Sequence, residues 1–278
     1  MNYSASFCHC PVIFARYTAT TVSKVFRKPG ELKHKIFEER CVMAKYRQKI
    51  GWSLLILLIL GIGIGMISPY VRLGPAQSRI ALDPSFPILY VVLVIHIFLA
   101  FLALISGPFQ FIKGLRQNYR TIHRYIGRIY LSCVLISGIA AFVVGLTSND
   151  FTRQTAFLML DVLWLLSAFK AYRAIRQRKI TQHYTWMVRN YALTLVAVVA
   201  RIIVPLSILV RVLRGQLSLP INISQVLDTT LGAGIWLALV LNLVLAEWLI
   251  LQKTVRGQGD DRKIAGRTMS KQMDEISL

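Results

Sequence analysis

The sequence predicts an all-α, polytopic transmembrane bundle of six helices with both termini in the cytoplasm. Three observations predict it. Of 278 residues, 55% are apolar and only 16% are charged, whereas an ordinary soluble domain carries about 25% charge. The apolar residues gather into six runs close to the roughly 20 residues that cross a bilayer. The connections between those runs alternate between rich and poor in Lys and Arg. Mean hydropathy is +0.55, so disorder of the bulk is excluded, because disordered chains lack apolar residues.

The expected spans are Gly51–Ile67, Phe86–Gly107, Tyr125–Leu146, Thr155–Tyr172, Met187–Leu213 and Leu227–Leu251. Before the first lie ten basic residues: Arg16, Lys24, Arg27, Lys28, Lys33, Lys35, Arg40, Lys45, Arg47 and Lys49. The next connection carries Arg72 and Arg79, and the third carries Lys113, Arg116, Arg120 and Arg124. Arg153 alone follows the third span. Arg173, Arg176, Arg178 and Lys179 follow the fourth, Arg214 alone the fifth, and the tail from Lys253 to Lys271 is basic again. Basic connections stay on the cytoplasmic side, which gives the orientation and an expected location in a bacterial inner (cytoplasmic) membrane. The same alternation accounts for 33 Lys+Arg against 12 Asp+Glu, a net +21. It excludes nucleic acid as the partner, since that needs basic charge gathered on one face. The partner expected instead is the bilayer, with anionic lipid at its cytoplasmic face. A homo-oligomer or a second membrane protein remains open.

Three segments follow: 1–50, a basic cytoplasmic arm; 51–251, the six-helix domain; and 252–278, a polar, disordered cytoplasmic tail holding Gly257, Gly259 and Gly266. Met43-Ala44-Lys45-Tyr46-Arg47-Gln48-Lys49 reads as an alternative basic start. A peptide from residues 1–42 in mass spectra would exclude initiation there. Of the four cysteines, Cys8, Cys10 and Cys41 fall in the arm and Cys133 in the third span. No structural disulfide is expected from that placement, and Cys8-His9-Cys10 lacks the second pair a zinc site uses.

Small residues let membrane helices approach. Gly61 and Gly65 form a GxxxG pair in the first span. Gly127, Leu131, Val134, Gly138, Ala141 and Gly145 form a stripe of period 3.6 in the third. In the second span His96 shares a stripe with Val92, Ala100, Ala103 and Gly107, and in the fifth Arg201 shares one with Asn190, Thr194, Ala197 and Pro205. Ionisable residues inside a span cost at least about 2.5–3.5 kcal/mol for Arg or Asp. At 1.5 Å per residue, His96, Asp161 and Arg201 reach a similar height, about 10–15 Å from the outer edge. An Asp161–Arg201 ion pair is the simplest arrangement for both, either as a register-fixing contact or as part of a solute or proton pathway.

A second polar layer at the cytoplasmic edge holds Gln110, His123, Arg124, Arg128, His183, Arg189 and Glu247. Orientation requires Arg and Lys there but not His. Two imidazoles from neighbouring helices can ligate a haem iron, with Arg128 and Arg189 beside them for its propionates. The alternative is a pair of wet interfacial histidines. No G-x-S-x-G, H-E-x-x-H or P-loop string occurs, so no hydrolase signature is present.

The stretch Gly107-Pro108-Phe109-Gln110-Phe111, then His123-Arg124-Tyr125-Ile126-Gly127-Arg128-Ile129-Tyr130, then His183-Tyr184-Thr185-Trp186-Met187-Val188-Arg189 and Arg201 resembles domain of unknown function 2306, a bacterial family of membrane proteins. The resemblance covers Phe86 to Arg201 and more loosely the sixth span. It implies a multi-pass inner-membrane protein and carries no activity. A looser similarity is to haem b four-helix membrane proteins of the cytochrome b561 and ferric-reductase kinds. It implies at most one bis-His haem here, on His123 and His183. The function classes carried forward are an intramembrane redox protein holding haem b or quinone, a small-solute or proton-coupled transporter using His96, Asp161 and Arg201, and a non-catalytic accessory or assembly subunit.

Overall fold

The computed structural model describes residues 29–71, 86–216 and 223–276. The chain divides into two units, Met1–Ser53 and Leu54–Leu278. Among the described residues every regular element is a helix: α1 (Pro29–Ile67), followed by a short 3₁₀ turn at Ser68–Tyr70, then α2 (Ile88–Phe111), α3 (Lys113–Asn118), α4 (Arg120–Leu146), α5 (Phe151–Arg176), α6 (Ile180–Leu213) and α7 (Ile223–Ile276). Among the described residues six stretches are long and apolar enough to cross a membrane: Ile50–Tyr70, Ile88–Phe111, Arg120–Leu146, Phe151–Arg176, Ile180–Leu213 and Thr229–Val255. Each contains most of one expected span. The residues 1–28 of the basic arm, with Cys8 and Cys10, lie outside the described residues.

Within Leu54–Leu278, α2 packs on α4, α4 on α5, α5 on α6, and α6 on α7, with α6 also reaching α2 and α7 reaching α5. Helix α6 is therefore the central element. Its buried residues Met187, Asn190, Tyr191, Leu193, Thr194, Val196, Val198, Ala200 and Val204 cover more than one face. A helix buried nearly all round sits inside a bundle. Exposed Leu, Ile, Val and Phe cover the outer faces of the spans, as lipid-facing surfaces require.

Local chemistry sets the helix ends. Asp150 caps α5, its carboxylate accepting from the Arg153 backbone N–H at 2.6 Å. Helix α6 ends in a Schellman motif: Gly215 takes φ +66°, its N–H donates to the Val212 carbonyl, and the Gln216 N–H reaches the Arg211 carbonyl. Helix α5 ends in the same motif with Arg178 at φ +59° in the glycine position. Its bonds run from Arg178 N–H to Ile175 and from Lys179 N–H to Ala174. A side chain in that conformation costs about 1 kcal/mol. Arg178→Gly is expected to stabilise the protein by about 1 kcal/mol, read by thermal unfolding in detergent. Unchanged or lower stability would contradict it.

Two sequence expectations change. Gly61 and Gly65 have no described atom within 4 Å of an added Cβ, whereas a Cβ on Gly63 would lie 2.5 Å from the Phe101 ring. The contact on α2 thus uses the glycine between the pair. The segment after Leu251, expected to be disordered, continues α7 without a break to Ile276. Lys, Arg, Gln, Met and Glu are good helix formers, and each glycine costs only about 1 kcal/mol.

Candidate functional site

Tyr130 on α4 and Asn190 on α6 meet at the centre of the bundle. The Tyr130 hydroxyl donates to Asn190 Oδ1 at 2.6 Å and lies 3.0 Å from Thr194 Oγ1. Trp164 Nε1 on α5 donates to the same Thr194 oxygen at 2.9 Å. Asn190 Nδ2 donates to the Trp164 carbonyl and to Ser167 Oγ, each at 2.8 Å. This network joins α4, α5 and α6 and is fully enclosed, with Tyr130, Asn190 and Ser167 each 3% exposed or less. Sequence reasoning placed Asn190 and Thr194 on a polar face but did not find the network. None of its members is ionisable at ordinary pH, so none stands out as costly.

Helices α4 and α6 are separated by one antiparallel neighbour and so run in the same direction. His123 lies seven residues before Tyr130, and His183 seven residues before Asn190. Seven residues are close to two full turns, about 10 Å, so His123 lies below Tyr130 and His183 below Asn190, each on the same stripe of its helix. The two histidines therefore reach the basic end of the bundle at matching heights, and His183 bears electrostatically on His123. His183 Nδ1 lies 2.9 Å from the Ala171 carbonyl of α5. A carbonyl only accepts, so Nδ1 carries a proton and Nε2 is the nitrogen with a lone pair in the neutral form of the ring. His123 Nδ1 is buried without a hydrogen-bond partner among the described residues. Gln110 Nε2, from α2, is in the same condition. A Cβ on Gly127 would stand 3.0 Å from Gln110 Oε1, so Gln110 lies against α4 one turn above His123.

An aromatic wall rises from this end. Tyr184 packs edge-on to Phe111 at 6.4 Å between centroids, Phe111 lies 5.6 Å from Tyr191, and Tyr191 6.4 Å from Tyr130. The Tyr191 hydroxyl donates to the Leu104 carbonyl at 3.2 Å.

The arginines expected beside the histidines are placed otherwise. Arg189 forms a two-pronged ion pair with Glu247 of α7, Nε to Oε1 at 2.5 Å and Nη2 to Oε2 at 3.1 Å. Its guanidinium also lies 4.8 Å from the Trp186 ring centroid. Arg128 is exposed and lies 5.9 Å from the Tyr125 ring centroid. Five residues after His123, it is turned about 140° around the helix from it, at 100° per residue. The arginines whose charge reaches His123 are Arg116 and Arg124.

The outer layer also differs from expectation. His96 Nδ1 lies 3.0 Å from the Ser137 carbonyl and 2.9 Å from Ser137 Oγ, while that hydroxyl donates to the His96 carbonyl at 3.0 Å. His96 is thus locked to α4. Asp161 is 4% exposed, and among the described residues no ion pair joins it to Arg201. Arg201 is exposed, donates Nη1 to the Ala197 carbonyl at 2.8 Å, and lies within electrostatic reach of His96. Counting residues gives a height along a helix but leaves its rotation free, so an expected common height does not by itself bring Asp161 to Arg201. No group of three His, Cys, Asp or Glu suited to a metal ion occurs among the described residues.

Six apolar spans among the described residues, three of them joined by a buried polar network, define a multi-pass α-helical membrane protein. The family model described as "Predicted membrane protein (DUF2306)" matches residues 93–250. The chain belongs to that family, and the matched region runs from α2 into the last apolar turns of α7. Searches of curated proteins and of solved structures give no match.

Proposed function

We propose that the protein is an intramembrane redox protein of a bacterial cytoplasmic membrane, holding haem b or a quinone between α4 and α6 at the basic end. The observation that carries this reading is the histidine pair. His123 keeps a buried Nδ1 without a described partner, while Ala171 fixes the His183 tautomer so that Nε2 is the free atom. Holding one ring nitrogen on a backbone carbonyl is how proteins orient an imidazole that ligates metal. When bound, haem b or a quinone supplies electron transfer that protein side chains do not provide.

The donor set fits an imidazole-held group better than it fits the expected propionate clamp. Arg189 is occupied by Glu247 and Arg128 faces away. Arg116 and Arg124 are the basic groups near His123. For a quinone, a ring N–H of His123 is a donor to a carbonyl oxygen, and Tyr184, Phe111 and Tyr191 provide aromatic surface for the ring.

The test is the purified protein. A Soret band, or a quinone recovered by solvent extraction, is expected in the wild type. Either should be lost in His183→Ala and His123→Ala and kept in Ser137→Ala. A protein that holds neither group, even after supplementation during expression, would overturn the redox reading.

A second reading, proton-coupled transport, is favoured by Asp161, a carboxyl enclosed at 4% exposure inside a span. Such residues mark proton pathways in transporters. Proton flux in liposomes that survives Asp161→Asn unchanged would remove it.

A further inference from the structure

We propose that Arg116, Lys253 and Tyr184 form a binding site for a phosphate group at the basic edge of the bundle, its chemical class being the headgroup of an anionic lipid or a soluble phosphate. The three residues come from α3, α7 and α6. Lys253 Nζ lies 3.3 Å from the Tyr184 ring centroid, and the Arg116 guanidinium carbon lies 6.0 Å from the same centroid. Arg116 bears electrostatically on Lys253 as well as on His123. Two cations are therefore gathered on one ring, with a third basic group, Arg124, acting on the adjacent histidine.

Nothing described in the protein neutralises them. Within Leu54–Leu278 the carboxylates whose side chains are described are Asp150, Asp161 and Glu247. Asp150 caps α5 at the opposite end and Asp161 is enclosed inside its span. Glu247 gives both oxygens to Arg189. Attraction to the Tyr184 π-face accounts for one cation. It does not account for holding a second like charge against the same ring, and an anion between them does. A phosphate suits the arrangement because a guanidinium donates two parallel N–H bonds to it and an ammonium serves as a point charge.

Position favours the lipid source. Lys253 lies two residues before the end of the span at Val255, at the level where lipid headgroups and interfacial Tyr side chains sit. Lys253 is exposed while Arg116 and Tyr184 are half-buried, so the site is open to an entering headgroup. The site shares Arg116 with the surroundings of His123 but needs no ligand on either histidine, so it can hold with or without the redox reading.

The experiment is native mass spectrometry of the full-length protein in detergent, titrated with phosphatidylglycerol, with phosphatidylcholine and with inorganic phosphate. The wild type is expected to retain one phosphatidylglycerol in preference to phosphatidylcholine, or to bind inorganic phosphate. Affinity should fall at least tenfold in the double variant Arg116→Gln/Lys253→Gln and remain in Arg176→Gln, a control at the same end of α5. Loss confined to the lipid assigns a headgroup, and loss confined to inorganic phosphate assigns a soluble ligand; both support the site. Lys253→Glu supplies an internal anion to Arg116. It should abolish binding while raising the melting temperature of the ligand-free protein, which separates the site from simple misfolding. Equal binding by wild type, the double variant and Lys253→Glu would overturn the proposal.

Discussion

Gly107→Ala is expected to destabilise the protein by about 3 kcal/mol, the upper end of the usual cost of overpacking. An added Cβ would stand 2.1 Å from Tyr191 Cε2 and 2.3 Å from Cδ2. The ring has little freedom to retreat. It is 6% exposed, its hydroxyl is tied to Leu104, and Phe111 and Tyr130 flank it. Unfolding in detergent micelles measures the loss. A double variant, Gly107→Ala/Tyr191→Leu, should lose less than the sum of the two single changes, because removing the ring removes the clash. Gly61→Ala provides the contrast. No described atom lies within 4 Å of its Cβ, so no loss is expected, and the better helix propensity of Ala should raise stability by up to about 1 kcal/mol. If Gly107→Ala were as harmless as Gly61→Ala, the close approach of α2 to α6 would be wrong.

Asn190→Leu is expected to cost about 2 kcal/mol, since it deletes three interhelical hydrogen bonds and such bonds average about 0.6 kcal/mol inside membranes. The side chain has no exposure and bonds to Tyr130, Trp164 and Ser167. Asn190→Asp is the sharper variant. It keeps the shape and the acceptor for Tyr130 but replaces the two N–H donors with an acceptor. The Trp164 carbonyl then faces an oxygen. Asn190→Asp should be at least as unstable as Asn190→Leu, and a stability equal to wild type would show that the network is ornamental. The loss should also reach the histidines, because Tyr130–Asn190 is the bond that fixes the relative height of His123 and His183.

The number of spans and their approximate limits were legible because apolar run length is a one-dimensional quantity. The edge histidines were legible for a related reason, since each stands just before an apolar run and orientation does not require it. Rotation about a helix axis was not legible. Arg128 reads as a neighbour of His123 in sequence, yet it lies on another face beside Tyr125. Asp161 and Arg201 count to a common height, yet no ion pair joins them among the described residues. Gly61 and Gly65 match a packing motif, while Gly63 makes the contact. In each case the answer depends on which neighbour occupies which side, and that is fixed by all the helices together. The polar network escaped notice for the opposite reason. Tyr, Trp, Asn, Thr and Ser are each tolerable in a span alone, and their significance lies in converging.

Helix α7 has one further consequence. Its 54 residues make a rod of about 80 Å, of which roughly 30 Å lies beyond Val255. No break separates Ala238 and Leu239, packed in the core, from Met269 and Met273 near the far end. The rod is therefore a lever with a longer arm of about 50 Å up to Val255 and a shorter one of about 30 Å beyond it. A slight tilt at the core becomes a wide sweep at the tip, and a load applied to the tip returns to the core as torque on the helix that holds Glu247 and Lys253.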